Sequence, residues 1–252
     1  MSEIGVVVSG ARGKMGRAIC DAVASDPNMR LVAEVDLEDD LAGALETATV
    51  LVDFTAPDAA ATNASLALAA GVAAVVGTTG LSADAVDSLA EQAAGSGVGG
   101  AVIPNFAIGA VLMMRLAEIA APYFEAVEVI EAHAATKLDA PSGTALATAR
   151  RLAAARGNAP FDYARPRKVT LEGARGAEEG FVGIHSLRLP GLVADQEIVF
   201  GAQGQSLSIA HRTTSREAFM PGVIATIRAV ATTRRFYRSL DEVLGLPSLE
   251  RA

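Results

Sequence analysis

Five short and nearly continuous apolar runs limit what this chain can fold into. They read "IGVVVS" (Ile4–Ser9), "LVAEV" (Leu31–Val35), "VLVDF" (Val50–Phe54), "AAVVG" (Ala73–Gly77) and "GAVIP" (Gly100–Pro104). Between them lie helical stretches: Lys14–Ser25, an alanine-rich run that opens near Pro57 and ends by Gly71, and Ser82–Ala94. A strand that is apolar at almost every position is buried on both faces. Strands of this kind alternating with helices predict a parallel sheet covered on both sides.

The pattern changes after Pro104. A helix over Ile108–Ala121 leads into "VEVIEAH" (Val127–His133), which alternates with a period of two and so keeps one face exposed or turned to a ligand. A helix from about Ser142 to Ala155 follows, then a polar, glycine-rich stretch over Arg165–Gly180. "GIHSLRL" (Gly183–Leu189) reads as a strand. "EIVFGAQGQSLSIAHRT" (Glu197–Thr213) reads as a hairpin turning near Gln203–Gly204. Helix returns at Pro221–Thr233. The expected architecture is a dinucleotide-type domain, an inserted α+β domain with a mixed sheet, and a C-terminal helix that comes back to the first domain.

With 252 residues, 51% hydrophobic and 20% charged, the chain can bury a full core and does not have the composition of a disordered segment. The formal charge of −8 argues against a nucleic-acid partner, and any anionic substrate must be drawn by a local cluster of cations. Cys20 is the sole cysteine and falls on a helical face, so it reads as a buried residue in a reducing compartment. No apolar run approaches the roughly 20 residues that span a bilayer, and the N-terminus lacks a secretion signal. The cytoplasm is the expected location.

"GARGKMG" (Gly10–Gly16) lies directly after the first strand and opens a helix. Glycines there allow a tight turn and close approach of backbone to phosphate, and the helix start offers amide groups and a favourable dipole to a pyrophosphate. The spacing G-x-x-G-x-x-G is one residue longer than the common dinucleotide turn. Asp36, twenty positions beyond Gly16, stands where an acid accepts hydrogen bonds from the adenosine ribose. Asp36 favours NADH by repelling a 2′-phosphate, whereas Arg12 and Lys14 can reach that phosphate or serve as ordinary solvated charges. Use of both NADH and NADPH is the reading. "GTTG" (Gly77–Gly80) and "IPNFAIG" (Ile103–Gly109) follow the fourth and fifth strands, at the carboxyl edge where the nicotinamide half of such a cofactor rests.

His133 ends a strand and Lys137 lies in the loop after it, ahead of "DAPSGT" (Asp139–Thr144). Pro141 is expected in the first helical turn, and the amides of Ser142, Gly143 and Thr144 are expected to point outward and take a carboxylate. Alone, His133 and Lys137 read as ordinary packed or surface side chains. Beside an anion-binding helix start, in a chain with a dinucleotide turn, they read as the proton-handling groups for a small acidic substrate. His185 and His211 lie on separate strands with no metal-ligand spacing, and no G-x-S-x-G nucleophile turn is present. Arg188 and Arg212 read as strand-surface charges.

"GARGKMG", "VDFTAP" (Val52–Pro57), "VVGTTG" (Val75–Gly80), "PNFAIGAVL" (Pro104–Leu112), "KLDAPSGTA" (Lys137–Ala145) and "GIHSLRLPGLVADQEIVFG" (Gly183–Gly201) together resemble, over essentially the full length, the bacterial dihydrodipicolinate reductases. These are also called 4-hydroxy-tetrahydrodipicolinate reductases and belong to the lysine and diaminopimelate pathway. The resemblance implies an α/β protein: a Rossmann-type dinucleotide-binding domain over 1–106 and 215–252, and an inserted α+β domain over 107–214 that binds substrate and builds a homotetramer by sheet association. It implies hydride transfer from NADH or NADPH to C4 of a cyclic, unsaturated imine dicarboxylate, with no metal. On the matching positions it makes His133 the acid/base, Lys137 the proton donor, and Gly143 and Thr144 the carboxylate cradle. Gly10, Ala11, Arg12, Gly13, Lys14, Met15, Asp36, Gly77, Thr78, Thr79, Ile103, Pro104, Asn105 and Phe106 become cofactor contacts.

One segment departs from the family pattern E-x-H-H-x-H-K. Here Ala134 and Thr136 stand where the family carries substrate-binding or polar residues. One charge-assisted contact is worth roughly 1.5–3 kcal/mol, so substrate binding one to two orders of magnitude weaker is the corresponding expectation. The departure motivates a second reading, a reductase of another small cyclic imine acid. A third, a non-catalytic nucleotide-binding homologue, is opposed by retention of both His133 and Lys137.

Overall fold

The computed structural model describes residues 3–157, 159–162 and 168–247. The chain divides into two compact units, Met1–Ile108 with Arg216–Pro247, and Gly109–Ser215.

In the first unit the apolar runs become β1 (Ile4–Ser9), β2 (Met29–Val35), β3 (Val50–Asp53), β4 (Ala73–Val76) and β5 (Gly100–Val102). The helices among them are α1 (Lys14–Ala24), α2 (Leu41–Leu45), α3 (Pro57–Ala69) and α4 (Ala83–Ser96). Local chemistry sets their ends. Pro57 occupies the first turn of α3, where its missing N–H costs nothing. Ser82 caps α4 by accepting from the Ala85 amide at 3.2 Å, and Gly97 closes it in the left-handed conformation. Val6, Val7 and Val8 of β1 and Val50, Leu51 and Val52 of β3 are fully buried, as strands covered on both faces require.

In the second unit α5 (Ile108–Ala120) leads through a short 3₁₀ turn to β6 (Ala126–Ala134), then α6 (Gly143–Ala155), β7 (Ala177–Glu179), β8 (Val182–Leu189), β9 (Ala194–Ala202) and β10 (Gln205–His211). Within the polar stretch predicted over Arg165–Gly180, residues 165–167 lie outside the described residues, and β7 adds a strand that polarity had concealed. The five strands run in the order β10-β9-β6-β8-β7. β6 and β8 are parallel, and the other pairs are antiparallel. Val127, Val129, Ile184, Ile198 and Phe200 are buried on one face of this sheet, and α6 contributes Ala145, Ala149 and Leu152 to the same core. The opposite face leaves Ile130, Leu187 and Leu189 between 36% and 49% exposed.

The chain then returns to the first unit with α7 (Met220–Thr232), β11 (Phe236–Tyr237) and α8 (Leu240–Val243). β11 pairs with β5 at the edge of a six-stranded parallel sheet ordered β11-β5-β4-β3-β1-β2. The strand order reverses between β1 and β3, which opens a crevice at the carboxyl ends of those strands.

Candidate active site

Gly10 and Ala11 follow β1 with both amides bonded to the Val35 carbonyl, at 2.9 and 3.3 Å, and the Gly13 amide turns back to Gly10 O at 3.0 Å. The first intrahelical bond of α1 runs from Arg17 N to Gly13 O. The amides of Lys14, Met15 and Gly16 therefore precede any helical acceptor, an arrangement that can take an anion. Glycine is required at position 16, since a Cβ there would lie 2.1 Å from the Gly10 carbonyl oxygen.

β2 ends at Val35, and Asp36 is the first residue after the strand. Its Oδ2 accepts from the Arg12 amide at 2.8 Å and stands 3.8 Å from Arg12 Nε. The Arg12 guanidinium also pairs with Asp39 Oδ2 at 2.9 Å, and the same oxygen accepts from the Asp36 amide at 2.8 Å. Two acids thus engage the arginine that sequence offered to a 2′-phosphate. Lys14 is exposed at the helix start.

The segments after β4 and β5 are brought to one place by Phe54, a residue to which sequence gave no role. A Cβ at Gly77 would meet the Phe54 ring at 2.0–2.5 Å, and one at Gly10 would meet its carbonyl oxygen at 2.7 Å. The Phe54 and Phe106 rings lie 5.5 Å apart. Ile103 donates its amide to Val76 O at 3.0 Å, and Asn105 Oδ1 accepts from the Ala107 amide at 2.9 Å, which fixes the Ile103–Pro104–Asn105–Phe106 segment. Asp53, fully buried, accepts from the Thr55 amide and hydroxyl and from Asn63 Nδ2, and so braces the Phe54 backbone. Thr78 Oγ1, beside Thr79 in the segment after β4, is buried without a protein partner among the described residues. A cradle too close for side chains, a helix start with open amides, and a buried hydroxyl awaiting an acceptor or donor fit a dinucleotide.

The second unit gathers a different chemistry. On β6, Glu131 and His133 are two apart and share a face. Glu131 is fully buried, and its Oε2 lies 2.5 Å from His133 Nδ1. Arg188 of β8, paired in register with His133, clamps both carboxylate oxygens at 2.9 and 2.8 Å. Oε1 also accepts from the Ser142 amide at 3.2 Å. Burial alone would raise the Glu131 carboxyl, but hydrogen bonds from Arg188, Ser186 and His133 outweigh it and hold the group below the usual carboxylate range. The reading of Arg188 as a strand-surface charge is therefore corrected. Its partner lies 57 residues away and becomes visible only once β6 and β8 pair.

Two expectations for the helix start are also corrected. Pro141 follows a cis peptide bond and stands before the cap rather than in the first turn. Ser142 is the cap: its hydroxyl accepts from the Ala145 amide at 3.2 Å, and its own amide goes to Glu131 instead of pointing outward. Gly143 is exposed, with open space where a Cβ would be, and Thr144 follows at the start of α6. Lys137 Nζ pairs with Asp139 Oδ1 at 2.8 Å, and Arg188 holds the Asp139 carbonyl at 2.6 Å, so the loop carrying Lys137 is tied to the same network. That hydrogen bond from Lys137 lowers the Asp139 carboxyl.

A family model for the N-terminal part of dihydrodipicolinate reductase matches residues 4–106, and one for its C-terminal part matches residues 109–244. The chain belongs to the dihydrodipicolinate reductase family. It is 48% identical to the 4-hydroxy-tetrahydrodipicolinate reductase of Nocardia farcinica over 246 residues, covering 96% of this chain and 99% of that one. It is 43% identical to that of Moorella thermoacetica, covering 97% and 99%. The dipicolinate-bound dihydrodipicolinate reductase from Paenisporosarcina sp. TG-14 superposes with a TM-score of 0.85 at 38% identity, covering 95% of this chain and 99% of that chain. Against the dihydrodipicolinate reductase pattern, Ala134 falls by strand parity on the face opposite His133, and its carbonyl accepts from the Lys137 amide at 3.0 Å. Thr136 is exposed. Neither substitution interrupts the Glu131–Arg188–His133 contacts.

His185 and His211 serve elsewhere: His185 Nε2 lies 2.6 Å from Glu128 Oε2, and burial lowers the His211 imidazole despite Asp195. Cys20 is buried in α1, where burial raises its thiol to about 11. Among the described residues, no group of acids, histidines or cysteines is placed to hold a metal ion, and no helix is long and apolar enough to cross a membrane.

Proposed function

We propose that the protein reduces 4-hydroxy-tetrahydrodipicolinate (dihydrodipicolinate) to tetrahydrodipicolinate with NADH or NADPH, in lysine and diaminopimelate biosynthesis. The observation that carries the reading is the union, on one buried carboxylate, of His133 and the α6 helix start. The first unit takes the cofactor: Lys14, Met15 and Gly16 receive the pyrophosphate, with Gly10, Ala11, Arg12 and Gly13 shaping the turn. Asp36 takes the adenosine ribose. Gly77, Thr78, Thr79 and the Ile103–Phe106 segment receive the nicotinamide half. When bound, the reduced nicotinamide supplies a hydride to C4 of the ring.

The second unit takes the substrate. Gly143 and Thr144 receive a carboxylate at the helix start, which Ser142 caps and orients. The C4 hydroxyl leaves as water, giving the unsaturated imine that takes hydride at C4. The negative charge this leaves on the conjugated imine is balanced by one proton at the ring carbon between C4 and the imine. Lys137 donates that proton after exchanging Asp139 for the substrate, and His133 acts as the acid/base. The half-exposed apolar face around Ile130, Leu187 and Leu189 supports association of the sheets into a homotetramer, which sedimentation mass tests. A cytoplasmic location fits the supply of reduced nicotinamide, and cell fractionation tests it.

The deciding experiment is steady-state oxidation of NADH and of NADPH, with the precursor made in situ by the preceding synthase. Turnover with either cofactor is expected, and His133→Gln should abolish it while nucleotide binding persists. Nucleotide binding without turnover by the wild type would refute the proposed substrate.

A further inference from the structure

We propose that Glu131, clamped by Arg188, is the positioning residue that fixes the tautomer and orientation of His133 and ties them to the substrate-carboxylate end of α6. This rests on the reading of His133 as the acid/base.

Glu131 has no exposed surface, and its surroundings consist of donors. Arg188 gives two N–H groups, Ser142 its amide, Ser186 a hydroxyl, and His133 Nδ1 lies at 2.5 Å. An ionised carboxylate only accepts hydrogen bonds, so Nδ1 must carry the proton. Nε2 is then the ring nitrogen left to exchange a proton with substrate, and the imidazolium formed when it takes one sits against an anion. The geometry explains why one side chain serves both ends of the site. Oε2 takes the ring, Oε1 takes the cap of α6, and Arg188 spans both oxygens, so the ring and the helix start are held to one rigid reference. Arg188 also holds the Asp139 carbonyl and thereby the loop of Lys137. A purely structural ion pair would bury Glu131 and Arg188 equally well but would place no requirement on which nitrogen of His133 bears hydrogen.

The test is the ¹⁵N imidazole spectrum of the full chain at a pH where the ring is neutral. There are three histidines, and His133 is assigned from the signals lost in His133→Gln. The expected result is a neutral His133 protonated at Nδ1, with that preference lost in Glu131→Gln. In the same variant kcat should fall about 100-fold or more, within the range of general acid–base contributions, with KM changed by less than about threefold. A wild-type ring protonated at Nε2 would overturn the proposal, and that spectrum needs no variant of Glu131 to fold. So would an unchanged kcat in Glu131→Gln alongside an inactive His133→Gln. Full activity of His133→Gln would overturn the acid/base reading itself, and is told apart because Glu131 is then untouched.

Discussion

Replacing Arg188 by methionine should destabilise the second unit and slow the enzyme, and the size of the first effect follows from the geometry. Glu131 is fully buried, and Arg188 supplies two of its hydrogen bonds; removal leaves only His133, the Ser142 amide and Ser186. Breaking a buried pair from one side costs about 3–5 kcal/mol, and the three remaining donors set the value near the lower end. At roughly 2–4 °C per kcal/mol for a chain of this size, the melting transition of that unit should fall by roughly 6–12 °C. The pH dependence has a definite sign. In the native protein the Glu131 carboxyl titrates below its usual value, so its contribution is complete above the ordinary carboxyl range and is lost as pH falls through the lowered value. Without Arg188 the balance moves toward burial, so the carboxyl rises from its native value and acid relieves the variant by neutralising it. The deficit should be widest near pH 7 and narrow toward about pH 4, where a glutamate takes up its proton. Calorimetric scans of both proteins across that range measure it. A further change of Glu131 to leucine should recover only part of the loss, because it removes the stranded charge but leaves the Ser142 amide and His133 Nδ1 without their acceptor. A variant melting within about 2 °C of the wild type at neutral pH, or a deficit that grows in acid, would refute the reasoning.

Gly77→Ala places a methyl group 2.0–2.5 Å from the Phe54 ring and must displace it. Overpacking of this kind costs about 1–3 kcal/mol, and nucleotide affinity, followed by NADH fluorescence, should weaken with it. Asp39→Asn releases the Arg12 guanidinium from one of its two acids, and the NADPH-to-NADH ratio of kcat/KM should rise about tenfold, or ~1.4 kcal/mol. Ala134→His restores the side chain usual in the family, and substrate KM should fall by about 10–100-fold with kcat little changed, if one charge-assisted contact of roughly 1.5–3 kcal/mol is recovered.

Most of the fold was legible because the strands of the first unit are buried on both faces. A run such as Val6-Val7-Val8 has nowhere else to go, and β1 spans the residues its composition marks. Pro57 and Ser82 similarly announce helix starts through φ restriction and side-chain capping, whereas α4 runs past the expected Ala94 to Ser96 before Gly97 closes it. What escaped was short or tertiary in origin. β11 is two residues long and is a strand only because β5 offers it an edge. α2 is a five-residue helix, too short for the spacing of Leu41, Ala44 and Leu45 behind the Asp40 cap to draw notice. β7 is polar and exposed, so it carries no burial signal.

The site divides along the same line. His133, Lys137 and the helix start at Ser142 are close in sequence, so the segment proclaims itself. Glu131 was within reach of the same argument, because a period of two puts it on the face of His133. Its importance comes from Arg188, and nothing in the order of residues predicts that β6 and β8 lie parallel with His133 opposite Arg188. The error over Ser142 has the same origin: an amide at a helix start points to solvent by default, and only a buried carboxylate from another element turns it inward. This separation explains how the chain can carry Ala134 and Thr136 and keep its chemistry. The groups that hold His133 sit on the inner face of β6 and on β8, while the altered positions lie on the opposite face and in the exposed loop. Substitutions there can alter how tightly substrate is held while the His133–Glu131–Arg188 contacts remain in place.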